Sequence, residues 1–194
     1  MVRALAKVGC EATVSNAPEK VVEADAVIFP GVGAAGDAVR TIKSLRLDEA
    51  IDRVIAQGRP FLGLCLGLQV LFETTEEGGM QSCLGIIPGV VRKLPPGQKV
   101  PHMGWNSVHA KKEHPIFDGI PDDSPFYFVH SYYAEPRDPN LVIGETEYGL
   151  LTFCSAIARG SLVATQFHPE KSGALGLKIY ENFLRYAFGD NSRH

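Results

Sequence analysis

The stretch RPFLGLCLGLQ (residues 59–69) determines the fold that we expect for this chain. Its apolar run, residues 61–64, reads as a fully buried strand, which ends at Cys65 between two glycines. The segment GLCLG, residues 63–67, has the glycine-x-nucleophile-x-glycine form of a nucleophile elbow, with cysteine in place of serine. In such an elbow the nucleophile has a strained backbone, and side chains at the flanking positions would collide with neighbouring backbone. The helix predicted to begin near Leu66 would direct its N-terminus at the sulfur and favour a thiolate.

A second motif, QFHPE at residues 166–170, bears on the role of this cysteine. Cys65 alone is equally well explained as a buried core residue, which is common for cysteine. A thiol nucleophile needs a base, and the base needs a group that orients it. Because Pro169 favours extended backbone at His168, the side chains of His168 and Glu170 are expected to point to the same side. The tripeptide HPE by itself also fits a surface turn, but the two motifs together favour a triad of Cys65, His168 and Glu170.

The order of the remaining patterns predicts an α/β fold. Strand and helix patterns alternate in the first half of the chain, which is typical of a parallel, doubly wound sheet. Residues 83–148 hold short strand patterns and many prolines, so we expect an antiparallel part that packs against or extends the main sheet. Besides the elbow, the predicted elements are a helix over residues 1–8, strands over 10–15 and 24–29, a long helix over 37–57 and a last helix over 172–188, with fraying at 190–194.

The composition excludes several classes of function. The chain of 194 residues has a net charge of −3, with neither a basic patch for nucleic acid nor an acidic tail. Its four cysteines have no C-x-x-C spacing and no histidine cluster nearby, which argues against a zinc site or a disulfide framework. No apolar run approaches the ~18 residues that a membrane-spanning helix needs. We therefore expect a soluble, cytoplasmic protein with no nucleic-acid or membrane partner.

Several of these segments resemble one known family, the triad-type or class I glutamine amidotransferases. The elbow and the segment QFHPEKS, residues 166–172, carry the resemblance to the family as a whole. The segments PHMGWN, residues 101–106, and FYFVHSY, residues 126–132, resemble one branch of it, the glutaminase subunits of imidazole glycerol phosphate synthase. The resemblance covers nearly the whole chain and implies a three-layer, doubly wound α/β fold with a mixed sheet, in one domain over residues 1–194. It implies no metal and no organic cofactor.

The N-terminus departs from this family. Family members begin with a further apolar strand and a glycine-containing loop, upstream of the helix with which this sequence opens. That strand would be central and buried in the sheet. Because every later motif is intact, we expect that the natural N-terminus lies upstream of Met1.

The resemblance assigns roles to residues close to the elbow. The glycines of PGVG at residues 30–33 allow backbone N–H groups to approach an oxyanion, although this pattern is more often a simple turn. The resemblance implies that one oxyanion donor is an N–H around Val32 or Gly33 and that the other is the N–H of Leu66. Gln69, one turn into the elbow helix, would contact the bound glutamine.

Three further residues are implied to bind the same substrate. Glu77 would pair with the α-ammonium of glutamine, although a solvated helix end also explains its position. Ser131 and Tyr132 would present backbone groups to the glutamine carboxylate. The neighbouring His130 is expected to be structural, because it belongs to an apolar alternation.

Another set of residues is implied to face a partner protein. Trp105 is the only tryptophan, and a lone tryptophan is either a partly buried core residue or an interface anchor. The resemblance favours the interface, and it implies a heterodimer in which the partner is a cyclase with a (β/α)8 barrel. His102 and Met103 would belong to the same surface, and Lys171 would lie at the mouth of an ammonia passage.

The function implied is hydrolysis of glutamine to glutamate and ammonia, which the cyclase subunit uses in histidine biosynthesis. Another class I amidotransferase would keep the triad but lack the PHMGWN segment. A cysteine peptidase or γ-glutamyl hydrolase would use the same triad without any partner. A binding subunit without catalytic activity would follow if the absent first strand disabled the site.

Overall fold

The structure is a computed structural model that describes residues 1–189, so the expected fraying at 190–194 lies outside the described residues. The helices are α1 (Val2–Lys7), α2 (Pro18–Glu23), α3 (Ala35–Ser44), α4 (Leu47–Ala56), α5 (Leu66–Gln69) and α6 (Gly173–Phe188). The strands are β1 (Val27–Gly31), β2 (Phe61–Cys65), β3 (Phe72–Thr75), β4 (Gln81–Ser82), β5 (Ile87–Lys93), β6 (His102–Ala110), β7 (Ser124–His130), β8 (Tyr132–Pro136), β9 (Val142–Tyr148), β10 (Leu151–Arg159) and β11 (Leu162–Thr165). None of the helices in this range has the length and apolar character needed to cross a membrane.

Strand β2, which ends at the elbow, lies in the middle of the parallel part of the sheet. It pairs in parallel with β1 on one side and with β11 on the other. From β11 the sheet continues through antiparallel β10 to β8, β5, β3 and β4. Strand β9 also pairs with β10, and it joins the antiparallel pair β6 and β7 to the sheet. The predicted mixed α/β sheet, with its antiparallel part in the second half of the chain, is confirmed.

Two apolar layers cover the two faces of this sheet. Side chains alternate along a strand, and in β2 Phe61 packs into a cluster with α3 and α4. Leu62 and Leu64 point to the opposite face, where the apolar residues of α1 and α6 cover them. All three side chains are almost fully buried, so each stabilises the fold by roughly 2 kcal/mol. This alternation gives the three layers and holds the end of β2 rigidly between them.

The strand that we expected over residues 10–15 is not formed. These residues have no regular secondary structure, and β1 begins only at Val27. Among the described residues β1 pairs with β2 alone, so the sheet offers residues 10–15 no adjacent strand for ladder hydrogen bonds. An apolar pattern without a neighbouring strand does not form a stable strand.

The long helix predicted over residues 37–57 is two helices. Helix α3 ends at Ser44, and Arg46 adopts a left-handed conformation with φ 56° before α4 begins. A continuous helix would place Arg46 on the buried stripe of Val39 and Ile42, since it follows them by seven and four residues. The break turns the arginine outward, where it pairs with Glu49 at 2.9 Å.

Candidate active site

Cys65 occupies a strained turn between β2 and α5. Its backbone has φ 53° and ψ −106°, a combination that costs roughly 1–3 kcal/mol for a residue other than glycine. The first N–H groups of a helix have no intrahelical partner, so α5 presents free donors directly after the sulfur. The strained strand-to-helix geometry predicted from the elbow motif is therefore present. The helix is short: it ends at Gln69, and β3 already begins at Phe72.

The glycines around the elbow are required by close backbone contacts. A Cβ on Gly67 would overlap the carbonyl oxygen of Phe29, and a Cβ on Gly63 would lie 2.9 Å from the carbonyl oxygen of Gly67. A Cβ on Gly31, at the end of β1, would lie 2.8 Å from the Cβ of Leu66. These distances are below normal van der Waals contact, so the motif needs glycine for steric reasons.

His168 and Glu170 lie beside this turn, at the end of the segment that follows β11. The backbone N–H of His168 donates to the carbonyl oxygen of Tyr127 at 2.9 Å, which fixes the backbone of the histidine against β7. The ring atom Nδ1 is 2.8 Å from Oε1 of Glu170. The other nitrogen, Nε2, is buried and has no hydrogen-bond partner among the described residues, which leaves it available to Cys65. The expected placement of the His168 and Glu170 side chains on the same side is present.

The charges around the ring favour the imidazolium form of His168. Burial lowers the pKa of His168, but the nearby sulfur of Cys65 and the hydrogen-bonded carboxylate of Glu170 outweigh burial and raise this pKa to about 9. Burial likewise raises the pKa of Glu170, yet the hydrogen bond and charge of His168 bring it below its usual value. The hydroxyl of Tyr180 is buried near the carboxylate, and burial followed by the charge of Glu170 raises the pKa of Tyr180. A protonated ring between a carboxylate and a sulfur is the resulting charge pattern.

Gln166 also contacts Cys65, and the sequence pattern had given it no role. Its Nε2 lies 3.5 Å from the sulfur of Cys65, and its Oε1 accepts a hydrogen bond of 2.9 Å from Nε2 of Gln69. Gln166 precedes His168 by two residues, so the alternation that placed His168 and Glu170 on one side also applies to it. That spacing was the signal that could have identified this residue.

A cleft of about 380 Å³ opens above the sulfur and brings most of the predicted residues together. Glu77, which lines the cleft, accepts a 2.6 Å hydrogen bond from the backbone N–H of Ala35 at the start of α3. This contact fixes a carboxylate in the cleft wall, so Glu77 is not a freely solvated group. The predicted site residues that line the cleft are Val32, Gly33, Cys65, Leu66, Gln69, Glu77, Ser131, Tyr132, His168 and Lys171.

An exposed apolar surface, the Trp105 face, is formed by Met103 and Trp105 on β6. Their side chains are 59% and 57% exposed. The Trp105 ring contacts Tyr127 edge-on at 6.1 Å between centroids, and Nζ of Lys171 lies 5.5 Å from the centroid of the same tyrosine ring. The Trp105 face is thus connected to the cleft through two side-chain contacts.

His102 does not belong to this surface, and our expectation that it lies there with Met103 is wrong. His102 is only 3% exposed. Because side chains alternate along β6, Met103 and Trp105 point outward while His102 points into the core. There it is stacked on Tyr148 and Phe128, at centroid distances of 4.1 Å and 4.9 Å.

Comparison with known proteins identifies close relatives over nearly the whole chain. The model of the family "Glutamine amidotransferase class-I" matches residues 1–187. The imidazole glycerol phosphate synthase subunit HisH of Dehalococcoides mccartyi (strain CBDB1) is 51% identical over 187 residues, which are 96% of this chain and 91% of the relative. The corresponding HisH subunit of Herpetosiphon aurantiacus is 49% identical over 191 residues, covering 98% of this chain and 90% of the relative.

Solved structures share the fold at much lower sequence identity. A crystal structure described as a glutamine amidotransferase superposes with a TM-score of 0.74 at 19% identity, covering 95% of this chain and 90% of that one. A structure of PurLQS from Thermotoga maritima also superposes with a TM-score of 0.74, at 17% identity, covering 95% and 90% of the two chains. At these identities the likeness supports the three-layer architecture alone.

Proposed function

The chain belongs to the class I glutamine amidotransferase family, and from this premise we propose that it is the glutaminase subunit of an imidazole glycerol phosphate synthase. In this role it hydrolyses glutamine in histidine biosynthesis, as one domain over residues 1–194. The observation that carries the proposal is the strained Cys65 in one cleft with the His168–Glu170 pair. The 51% and 49% identity to HisH subunits favours this branch over other amidotransferases.

In the proposed reaction the thiolate of Cys65 attacks the side-chain amide carbon of glutamine. N–H groups of Leu66 and of the Val32–Gly33 turn stabilise the oxyanion, each contributing roughly 3 kcal/mol if preorganised. The imidazolium of His168 gives its Nε2 proton to the amide nitrogen, the carbon–nitrogen bond breaks, and ammonia leaves a γ-glutamyl thioester. The neutral ring then accepts a proton from water, which attacks the thioester and releases glutamate.

The remaining residues of the cleft are proposed to hold the substrate. The carboxylate of Glu77, fixed by the backbone of Ala35, pairs with the α-ammonium of glutamine. Backbone groups of Ser131 and Tyr132 bind its carboxylate, and Gln69, which donates to the carbonyl oxygen of Tyr132 at 2.8 Å, lies beside them. In this arrangement a negative carboxylate faces the positive α-ammonium, and hydrogen-bond donors face the negative carboxylate of glutamine.

The partner is proposed to be the cyclase subunit with its (β/α)8 barrel, in a heterodimer. The exposed Trp105 face and the cleft are joined through Tyr127 and Lys171, so a protein bound there would cover the exit for ammonia. Ammonia has to reach the second active site before water protonates it, because ammonium is not a nucleophile. The cyclase then uses the ammonia to form imidazole glycerol phosphate and an aminoimidazole carboxamide ribonucleotide.

The test is glutamate release from glutamine by the protein alone, with the cyclase subunit, and with the cyclase and its ribonucleotide substrate. We expect weak activity alone and at least about tenfold stimulation in the full mixture. Cys65→Ala should abolish the activity, whereas Cys10→Ala, a cysteine outside the cleft, should leave it unchanged. Equal turnover with and without the cyclase would overturn the assignment. Hydrolysis of γ-glutamyl peptides without a partner would favour a stand-alone hydrolase.

A further inference from the structure

Two buried histidines lie at the cleft outside the proposed triad: His130 lines the cleft, and His102 lies next to His130. His102 on β6 and His130 at the end of β7 are paired across the two strands, with exposed fractions of 3% and 6%. Nδ1 of His102 lies 2.9 Å from Nε2 of His130. Two imidazoles in hydrogen-bond contact need one donor and one acceptor, so their protons have to be arranged in a defined order.

The neighbouring groups determine that order. Nδ1 of His130 lies 2.8 Å from the carbonyl oxygen of Tyr132, which only accepts, so this nitrogen carries the proton. Nε2 of His130 is then the acceptor and Nδ1 of His102 the donor. Nε2 of His102 is left as an acceptor, and Nδ2 of Asn106 approaches it at 3.3 Å. Burial lowers the pKa of His102 to about 4 and that of His130 to about 3, so both rings are neutral near neutral pH.

A second chain of hydrogen bonds reaches the same carbonyl group from the nucleophile. Nε2 of Gln69 donates to the carbonyl oxygen of Tyr132 at 2.8 Å and to Oε1 of Gln166 at 2.9 Å. Nε2 of Gln166 is then directed at the sulfur of Cys65, at 3.5 Å. The two chains use both acceptor positions of the Tyr132 carbonyl, so they fix this peptide group in the cleft wall from two sides.

The outer end of the histidine chain lies on the strand that carries the Trp105 face. Asn106 follows Trp105 directly, and its Nδ2 also donates to the carbonyl oxygen of Glu147 at 2.8 Å. The ring of His102 is held between Tyr148 and Phe128, so it has little freedom to move independently of β6. A shift of β6 would therefore reach the ring of His130 through the 2.9 Å side-chain contact as well as through the backbone ladder between β6 and β7.

We propose that His102 and His130 are positioning residues, which form a hydrogen-bonded relay between the Trp105 face and the glutamine site. Partner docking on the Trp105 face fixes β6, and the relay fixes the Tyr132 carbonyl in response. Through Gln69 and Gln166 the same chain sets the position of the sulfur. This inference rests on the proposed function, since it describes how docking is coupled to glutamine hydrolysis.

The first test examines the protons themselves. Side-chain nitrogen NMR of the histidines in the whole protein should show both rings neutral, with the proton on Nδ1, at neutral pH. A proton on Nε2 of His130, or an imidazolium at either position, would overturn the relay. This measurement needs no partner, so it is independent of the proposed function.

The second test uses two substitutions that separate hydrogen bonding from packing. His102→Phe keeps a flat ring between Tyr148 and Phe128 but removes both ring nitrogens. His102→Asn loses the ring but keeps an N–H at the position of Nδ1, which can still donate to His130. The readout is the ratio of glutamate release with and without the cyclase and its substrate, alongside the Kd for the cyclase.

If the histidines form a relay, we expect His102→Phe to reduce the stimulation ratio about tenfold with little change in the Kd for the cyclase. His102→Asn should retain most of the stimulation. If the ring only fills the core, the order is reversed, and His102→Phe keeps the full stimulation. That reversed order would overturn the relay. The proposed function would still stand, provided that the cyclase stimulates the wild type. If the wild type itself is not stimulated, the proposed function fails, and the proposed coupling fails with it.

Discussion

At the scale of single residues, the charge state of His168 governs what Cys65 can do. Nδ1 of the ring lies 2.8 Å from the partly buried carboxylate of Glu170, and the pKa of His168 is raised to about 9. At neutral pH the ring is therefore protonated, as the proposed mechanism requires of the group that donates a proton to departing ammonia. In the proposed mechanism a neutral histidine would first have to take the thiol proton. The sulfur of Cys65 and the carboxylate of Glu170 together favour the protonated ring instead.

This charge state predicts the pH dependence of the reaction. In the complex with the cyclase, kcat/KM for glutamine should fall as the pH rises through about 9, because the imidazolium loses its proton. Glu170→Gln removes the stabilising charge and should shift this fall to lower pH. Profiles from about pH 6 to about pH 10 measure both effects. A profile without a fall up to the upper limit, or one that Glu170→Gln leaves in place, would contradict the assigned charge state.

At the scale of elements, the turn from β2 to α5 is the feature that local sequence predicts best. Glycine-x-cysteine-x-glycine after an apolar run predicts both the strained cysteine and the close approach of Gly67 to the backbone of β1. The contact is steric and local, so the pattern of residue types is enough to foresee it. The same holds for His168 and Glu170, whose relative placement depends on one proline and a two-residue spacing.

The elbow contacts predict graded costs of substitution. Gly67→Ala should lower the free energy of unfolding by more than about 4 kcal/mol, because its Cβ would overlap the carbonyl oxygen of Phe29. Gly63→Ala should cost less, because its nearest contact is 2.9 Å. Gly160→Ala is the control, with open space around it and a φ of +57°, and should cost about 1–2 kcal/mol. Urea unfolding measures all three, and equal costs for Gly67→Ala and Gly160→Ala would contradict the steric account.

Features that depend on distant parts of the chain were not predictable in the same way. Residues 10–15 have a strand pattern, but a strand forms only where the sheet provides a neighbour. The break at Arg46 depends on which side of the helix packs against the sheet. The inward direction of the His102 side chain depends on which face of β6 the rest of the protein covers. In each of these cases the local pattern is compatible with two structures, and only tertiary packing selects between them.

At the scale of the whole molecule, the Trp105 face is the surface through which the proposed heterodimer would assemble. Trp105 is 57% exposed although it is a large aromatic residue, and it contacts Tyr127 beside the cleft. Exposed tryptophans in interfaces are frequent centres of binding free energy. Because this face lies next to the cleft, the proposed heterodimer would use one surface for both assembly and ammonia transfer.

Trp105→Ala should therefore weaken binding of the cyclase subunit by about 2 kcal/mol, which is roughly thirtyfold in Kd. Phe188→Ala, at an exposed aromatic residue on α6, serves as the matched control and should leave Kd unchanged. Titration calorimetry with the cyclase measures the affinity, and thermal unfolding checks that both variants fold. Equal Kd values for Trp105→Ala and the wild type would exclude the Trp105 face as the docking surface.

The buried histidines predict how stability depends on pH. The pKa values of His102 and His130 in the folded protein are about 4 and about 3, whereas the ordinary value for histidine is 6.5. When the pH falls below 6.5, the unfolded chain therefore binds more protons than the folded chain. Their contribution to stability is complete above pH 6.5 and is lost as the pH falls toward 3–4. His168 has the opposite sign, since its raised pKa gives stability that is complete below pH 6.5 and is lost as the pH rises through about 9.

His102→Phe should therefore flatten the acid limb, removing roughly 3 kcal/mol of the change in unfolding free energy between neutral pH and pH ~4. Phe153→Leu, in the same aromatic cluster, should lower stability at every pH without changing that slope. Urea unfolding at a series of pH values measures both curves. The same acid slope in His102→Phe and the wild type would show that this histidine is not buried in the neutral form.

The proposed direct passage of ammonia from glutamine at Cys65 to the cyclase can be followed with an isotope label. The complex is supplied with the ribonucleotide substrate, with glutamine carrying heavy nitrogen in its side-chain amide, and with an excess of unlabelled ammonium. The account predicts that the heavy nitrogen dominates the imidazole product of the wild type and is absent from that of Cys65→Ala, which incorporates only unlabelled ammonium. Direct transfer would be contradicted if the wild-type product carried heavy nitrogen only in proportion to its share of the total ammonia in solution. Labelled product from Cys65→Ala would contradict it as well.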